Sequence, residues 1–175
     1  VCVGVELLQP VPEDAHAIGA LFARAFADDP VTSWVTPDAT RRSRVLERLN
    51  TAVARYEGIP HGATDVAVEG GEIVGAAIWQ PPHPRLISWR SVPFSLAAGL
   101  ALGRDMGRMI AMGRAVVGAR RWRDCWYLQL LGVAPAAQGT GVGGALVRTR
   151  LRLIDRRSEP AYLETTTENL LFYSH

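Results

Sequence analysis

Near its end this chain carries a segment that admits few folds. A run of aromatic and branched residues from Cys125 to Val133 leads through Ala134-Pro135-Ala136-Ala137 into Gln138-Gly139-Thr140-Gly141-Val142-Gly143-Gly144, and from there into a helical pattern over Val142 to Asp155. A strand that enters a helix through glycines leaves the first N–H groups of the helix unpaired and aimed outward. Together with the helix dipole they attract an anion of phosphate size. The glycines let that anion approach the backbone closely.

Several ligand classes use such a cradle, and the residues around the glycines separate them. A P-loop needs Lys followed by Ser or Thr after its last glycine, and this chain contains no Lys. The dinucleotide fingerprint G-x-G-x-x-G is met by Gly139, Gly141 and Gly144, with Glu164 closing the next strand-like run about 20 residues on. Its surroundings oppose it. In that fold the first glycine sits almost at the strand end, whereas Ala134 to Gln138 intervene here, and only Thr165 to His175 remain to extend a sheet.

The rest of the chain supplies elements to surround the cradle. Val3 to Leu8 reads as a strand, and Val11-Pro12-Glu13-Asp14 as a helix entry. Ile18, Leu21, Phe22 and Ala25 then recur on one helical face, which Asp28-Asp29-Pro30 ends. After Pro37-Asp38, Val45, Leu49, Ala52 and Tyr56 form a second apolar face opposite Arg41, Arg42, Arg44, Glu47 and Arg48. Asp65 to Glu69 and Ile73 to Trp79 are strand-like around Gly70-Gly71, a pair suited to the positive φ of a two-residue hairpin. Beyond Pro81-Pro82-His83-Pro84, Phe94 to Val117 predicts one or two helices, in which Gly99, Gly103 and Gly107 would permit close helix packing. Ala161 to Glu164 is a short strand and Glu168 starts a last helix. This order belongs to an α+β or mixed α/β fold.

Leu131-Gly132-Val133-Ala134-Pro135-Ala136-Ala137-Gln138-Gly139-Thr140-Gly141-Val142-Gly143 resembles the acetyl-CoA motif of GNAT N-acetyltransferases, Val-x-Pro-x-x-Gln/Arg-x-x-Gly-x-Gly/Ala, at every defining position. Tyr162 to Thr165 and Glu168 to Tyr173 are similar to the strand and helix that end the coenzyme site in that family. With Phe26 to Pro30 and Ala76 to Trp79 the likeness extends loosely over most of the chain, toward the puromycin N-acetyltransferase branch, but Gln80 to Arg123 carries little of it. The resemblance implies the GNAT acyl-CoA N-acyltransferase fold: α/β, with a mixed, mostly antiparallel sheet flanked by helices and acetyl-CoA, the co-substrate, wedged between two diverging parallel strands. Backbone groups near Leu131 and Val133 would pair with the pantetheine arm. The stretch Gln138, Gly139, Thr140, Gly141, Val142, Gly143 and Gly144 would receive the pyrophosphate. Thr140 replaces the basic residue usual between the glycines, a charge contact that is either lost or supplied by Arg148.

Amine acetylation needs a neutral nucleophile, a polarised thioester carbonyl and a proton for the departing thiolate. A phenol, with a pKa of about 10, is matched to an alkyl thiol, which suits Tyr173 to the last role. Asn169 and Tyr173 stand at i and i+4 and share a helix face. In the resembled family such positions contact the coenzyme and protonate its sulfur. Taken alone, Tyr173 is a packing aromatic and Asn169 a helix cap. For the base, Glu164 ranks ahead of Asp28 and Asp29, although a solvated strand-end charge also describes it. Trp34 and Trp79 lie in segments that border the acceptor cleft of similar enzymes, while Trp89, Trp122 and Trp126 read as core or cleft aromatics.

Composition bounds the alternatives. At 175 residues and 48% hydrophobic content the chain is sized for one domain, 1–175. All 19 basic residues are Arg, and 17 acids leave a net charge of only +2, which is not the balance of a nucleic-acid binder. Cys2 and Cys125 lack redox or metal spacing, as do His16, His61, His83 and His175, so no metal is expected. Arg120, Arg121 and Arg123 read as a solvated charge run. No leader is visible, and the uncharged stretch Ser91 to Gly103 is shorter than the roughly 20 residues a bilayer span needs. The expectation is a cytoplasmic enzyme with no nucleic-acid or membrane partner, a homodimer among the options. The chain opens at Val1 and stops at His175, where the resembled family continues with a final strand pair. The expected reaction is acetyl transfer to a primary amine of a small molecule, possible acceptors being antibiotic-like aminonucleosides. A protein N-terminus or lysine, or a non-catalytic acyl-CoA-binding role, are the alternatives.

Overall fold

The computed structural model describes residues 4–82, 92–119 and 124–174. Cys2, His83, Pro84, Trp89, Arg120, Arg121, Trp122, Arg123 and His175 lie outside them. Five strands, β1 (Val5–Leu8), β2 (Thr64–Glu69), β3 (Glu72–Gln80), β4 (Trp126–Val133) and β5 (Ala161–Leu163), form one sheet in chain order. The first four are antiparallel neighbours, and β5 runs parallel to β4. Gly70 and Gly71 make the β2–β3 turn at φ 58° and 85°, the left-handed values that a tight hairpin demands.

Because strand side chains alternate between faces, the sheet serves two cores. On one face α1 (Ala15–Ala25) and α3 (Ala39–Val53) bring Ile18, Leu21, Phe22 and Val53 against Val66, Ala76 and Ile78. On the other, α6 (Val142–Asp155) brings Val142, Leu146 and Ile154 against Ala67, Ala77, Trp79 and Leu128. Each large aliphatic or aromatic side chain buried this way contributes about 1.5–3 kcal/mol. Two glycines let the helices close in. A Cβ at Gly132 would stand 2.7 Å from Phe22 Cδ1, and one at Gly75 would stand 2.7 Å from Val142 Cγ1. The site is thus built where α1 and α6 press on neighbouring strands from opposite sides.

Asp29 does more than end α1. Its carboxylate accepts from Thr32 N at 2.9 Å and caps a short helix, α2 (Pro30–Val35), that the sequence pattern had not indicated. The stretch predicted as one or two helices divides into α4 (Val92–Leu102) and α5 (Met106–Ala119). The glycine spacing there does not mediate close packing. Gly103, at φ 52°, breaks the two helices apart, and a Cβ at Gly107 would meet nothing within 4 Å. Two ion pairs hold the break against the start of α3, Arg41 to Asp105 at 3.0 Å and Arg104 to Asp38 at 2.7 Å.

Candidate active site

The sheet opens next to β4. β5 pairs with only Trp126, Tyr127 and Leu128, so Gln129 to Val133 face β3 on one edge and have no described strand on the other. Backbone groups alternate in direction along an antiparallel strand. Ala134 N–H bonds back to Val74 O at 2.8 Å, which turns the N–H and C=O groups of Leu131 and Val133 to the open edge. Val133 O accepts there from Gln138 Nε2 at 3.2 Å. A bulge strengthens the opening. The β3 register jumps from Ile78↔Leu130 to Trp79↔Leu128, leaving Gln129 without a partner across the ladder. As a result Leu128 packs on the α6 face and Leu130 on the α1 face, although both are even-numbered.

The strand runs through a 3₁₀ turn, Pro135–Ala137, into the glycine segment. Gly139 and Gly141 adopt φ 77° and 90°, and Gly141 is the left-handed N-cap of α6, without a side-chain cap. Thr140 Oγ1 donates to Ala137 O at 2.7 Å, so its hydroxyl braces the turn. Ala145 N–H makes the first helical bond, to Gly141 O at 3.0 Å, which leaves the amides of Val142, Gly143 and Gly144 at the helix start without helical acceptors. The first turn of α6 holds no acid. Gly144 gives the guanidinium of Arg148 room to lie back over it, since a Cβ there would stand 2.8 Å from Arg148 Nη1. Bare amides, a helix dipole and the neighbouring Arg148 guanidinium fit a diphosphate.

α7 (Leu170–Tyr173) seats itself on this helix start. Phe172 lies over Gly143, 3.3 Å from where its Cβ would be, and Tyr173 packs against the cluster containing Val142 and Leu146. The Phe172 and Tyr173 rings meet edge to face, 4.7 Å between centroids. Burial raises the pKa of the Tyr173 phenol above its ordinary value, because the phenolate would be poorly solvated. Asn169 stands at the helix start, exposed, with Nδ2 3.3 Å from Thr166 Oγ1 and no capping bond. Glu164 follows β5 directly and accepts from Tyr162 Oη at 3.2 Å. Asp28 is exposed, and Asp29 is occupied as a cap.

The two tryptophans part company. Trp34 is half exposed in an apolar recess between α2 and α5, with Pro30, Val31, Ala111 and Met112, and Arg108 donates to its carbonyl at 2.8 Å. Trp79, expected at a cleft, is 3% exposed among Ala67, Leu128 and Leu146, because the strand alternation turns it to the α6 face. Its Nε1 has no hydrogen-bond partner. Sequence reasoning missed a polar row at the fork. Tyr127 stacks on Tyr162 with centroids 6.2 Å apart, and Gln80 Nε2 donates to Gln129 Oε1 at 3.3 Å. Only the pairing register, which no local pattern carries, joins these residues. Among the described residues no group of three His, Cys, Asp or Glu side chains could hold a metal.

A mixed sheet that opens beside β4, with unpaired helix-start amides where its edge ends, is an arrangement that fits an acyltransferase using an acyl-CoA. The chain belongs to the acetyltransferase (GNAT) family, whose sequence profile matches residues 23–173. A structure described as histone acetyltransferase HPA2 and related acetyltransferase, from Corynebacterium glutamicum, is similar at 25% identity and a TM-score of 0.63, covering 98% of this chain and 83% of that one. A GNAT acetyltransferase from Brucella melitensis in complex with acetyl-CoA is 18% identical, with a TM-score of 0.54 and coverage of 96% and 80%. Polyamine N-acetyltransferase from Drosophila melanogaster is 17% identical, with a TM-score of 0.52 and coverage of 93% and 77%. The protein is accordingly an N-acetyltransferase that uses acetyl-CoA.

Proposed function

We propose that this enzyme transfers acetyl to a primary amine of a small molecule, with aminonucleoside-like antibiotics among the candidate acceptors. One observation supports the coenzyme half of the reading: Leu131 and Val133 turn backbone groups to the open edge of β4, and the chain then passes through the Pro135–Ala137 turn to the unpaired amides of Val142, Gly143 and Gly144. Acetyl-CoA supplies an activated acyl group as its thioester. In this proposal the amides from Gln138 to Gly144 receive the diphosphate, Arg148 adds the cation that Thr140 does not, and Asn169 contacts the coenzyme. Tyr173 holds the proton for the departing sulfur at its Oη, since its raised pKa keeps it a donor through neutral pH. Glu164, steadied by the Tyr162 hydroxyl, takes the proton of the acceptor ammonium, and Trp34 supplies apolar acceptor contact.

Thiol release from acetyl-CoA, measured across a panel of small primary amines and a panel of peptide N-termini and lysine peptides, tests this. Small amines should stimulate release well above hydrolysis. Stimulation by the peptides alone would establish the second reading, a protein acceptor, which the name of the Corynebacterium structure favours. Tight acetyl-CoA binding with hydrolysis-level release for every amine would mark a non-catalytic binder.

A further inference from the structure

The outward face of α6 carries cations that nothing in the described structure neutralises. Arg148, Arg152 and Arg156 stand at i, i+4 and i+8, all exposed, on the side of the helix away from the buried Arg150. Among the described residues none of them takes part in an ion pair. Asp155, the only acid in the helix, sits in its last turn and bridges none of them. Like charges one turn apart repel each other. The helix dipole favours cations near the C-terminal end, which suits Arg152 and the C-cap Arg156. It does nothing for Arg148, whose guanidinium lies back over Gly144, beside the unpaired amides.

The row therefore begins at the cradle and runs away from it. The Cα–Cβ bonds of a helix tilt toward its N-terminus, so the stem of Arg152 leaves toward Arg148, as that of Arg148 leaves toward Gly144. Four residues at 1.5 Å each separate the two positions by about 6 Å along the axis. Acetyl-CoA presents phosphate in two forms. Its diphosphate bears one charge per phosphorus, whereas the 3′-phosphate of its adenosine is a monoester, which carries about −1.5 to −2 at neutral pH. A single ribose separates the two. The amides at the start of α6 match the diphosphate and leave the monoester without a partner. Along the helix, the next cation after Arg148 is Arg152.

We propose that Arg152, with Arg148 beside it, binds the 3′-phosphate of the coenzyme, so that the enzyme selects 3′-phosphorylated acetyl-CoA over the 3′-dephospho form. The inference rests on the placement of the diphosphate at the amides from Gln138 to Gly144. Guanidinium groups one turn apart can each offer two parallel N–H donors to the same monoester, the arrangement in which arginine holds phosphate best. Binding would also relieve the repulsion between the two side chains. Arg156, a further turn along and past the end of the helix, takes no part.

Calorimetric titration with acetyl-CoA and with 3′-dephospho-acetyl-CoA tests this. The parent should prefer acetyl-CoA by about tenfold or more, the loss expected when a charged group forfeits its partner. Arg152→Gln should lose most of that preference by binding acetyl-CoA more weakly, with its affinity for the dephospho form kept within about twofold. Arg156→Gln should retain the preference. Equal affinity of the parent for both forms would overturn the inference alone, while binding of neither would overturn the coenzyme placement with it. A preference that survives in Arg152→Gln would also sink it. So would an equal loss for both coenzymes, the mark of a purely structural arginine, or an equal effect of Arg156→Gln, the mark of a diffuse field.

Discussion

The guanidinium of Arg150 on α6 grips the carboxylate of Asp65 on β2 with two prongs, Nε to Oδ2 at 2.8 Å and Nη2 to Oδ1 at 2.9 Å. Both residues are buried, at 4 and 5% exposure, and Nη1 also donates to Gly62 O at 2.9 Å. The pair fixes the helix whose start carries the unpaired amides to the sheet two strands from the fork. Removing one partner strands the other charge in the core. Arg150→Met should therefore cost about 3–5 kcal/mol in urea unfolding. Adding Asp65→Leu should recover at least half of that loss, and failure to recover would show that the charge is not the cause.

Gly132 is set where α1 presses on β4. Gly132→Ala should destabilise by about 1–3 kcal/mol, because its Cβ would come 2.7 Å from Phe22 Cδ1 and 3.2 Å from Ala25 Cβ. Shortening the neighbour with Phe22→Leu should make the alanine cheaper than it is in the parent, a coupling that a double-mutant cycle reads directly.

Tyr173→Phe should lower kcat about a hundredfold or more and leave the acetyl-CoA Kd within about twofold. Burial keeps the phenol protonated beyond its ordinary value of 10.0. An alkaline limb in the rate profile that belongs to Tyr173 must then lie above that pH, and disappear in the variant. Unchanged turnover would remove Tyr173 from the chemistry.

Arg148→Gln should weaken acetyl-CoA binding about tenfold, the loss of one charge-assisted contact, with no change in Tm. The deficit should shrink at high salt, where the parent loses the same attraction.

Glu57 gives a pH signature unrelated to catalysis. Desolvation in the π-helical turn Ala54–Gly58 raises its pKa above 4.5, with His61 pulling the other way. A raised folded pKa means that its favourable contribution is complete below the unfolded value and is lost as pH rises through the folded one. Glu57→Gln should thus raise Tm at pH 7 and leave it unchanged near pH 3.5, as thermal melts at the two pH values will show.

Local pattern carried the elements whose signals are local. The helix starting at Val142, the Gly70-Gly71 hairpin and the strand ending at Val133 are set by periodicity, by glycines at positive φ and by unpaired helix-start amides, all within a few residues of chain. The family likeness pointed to acetyl-CoA for the same reason, since the motif that carries it is one contiguous segment, Val133 to Gly143. What needed the folded molecule lies between distant residues. Asp65 and Arg150 are 85 positions apart, and nothing near either announces the other. The bulge at Gln129 exists only against β3, and the burial of Trp79 depends on which face of that sheet α6 covers. The glycines of α4 and α5 carry a spacing that reads as close packing, yet Gly103 turns at positive φ between the helices, a Cβ at Gly107 would meet nothing within 4 Å, and one at Gly99 would come no nearer than 3.9 Å to Met106 Cε. Short-range dihedral preferences act along the chain, whereas register, burial and charge pairing arise only when segments meet.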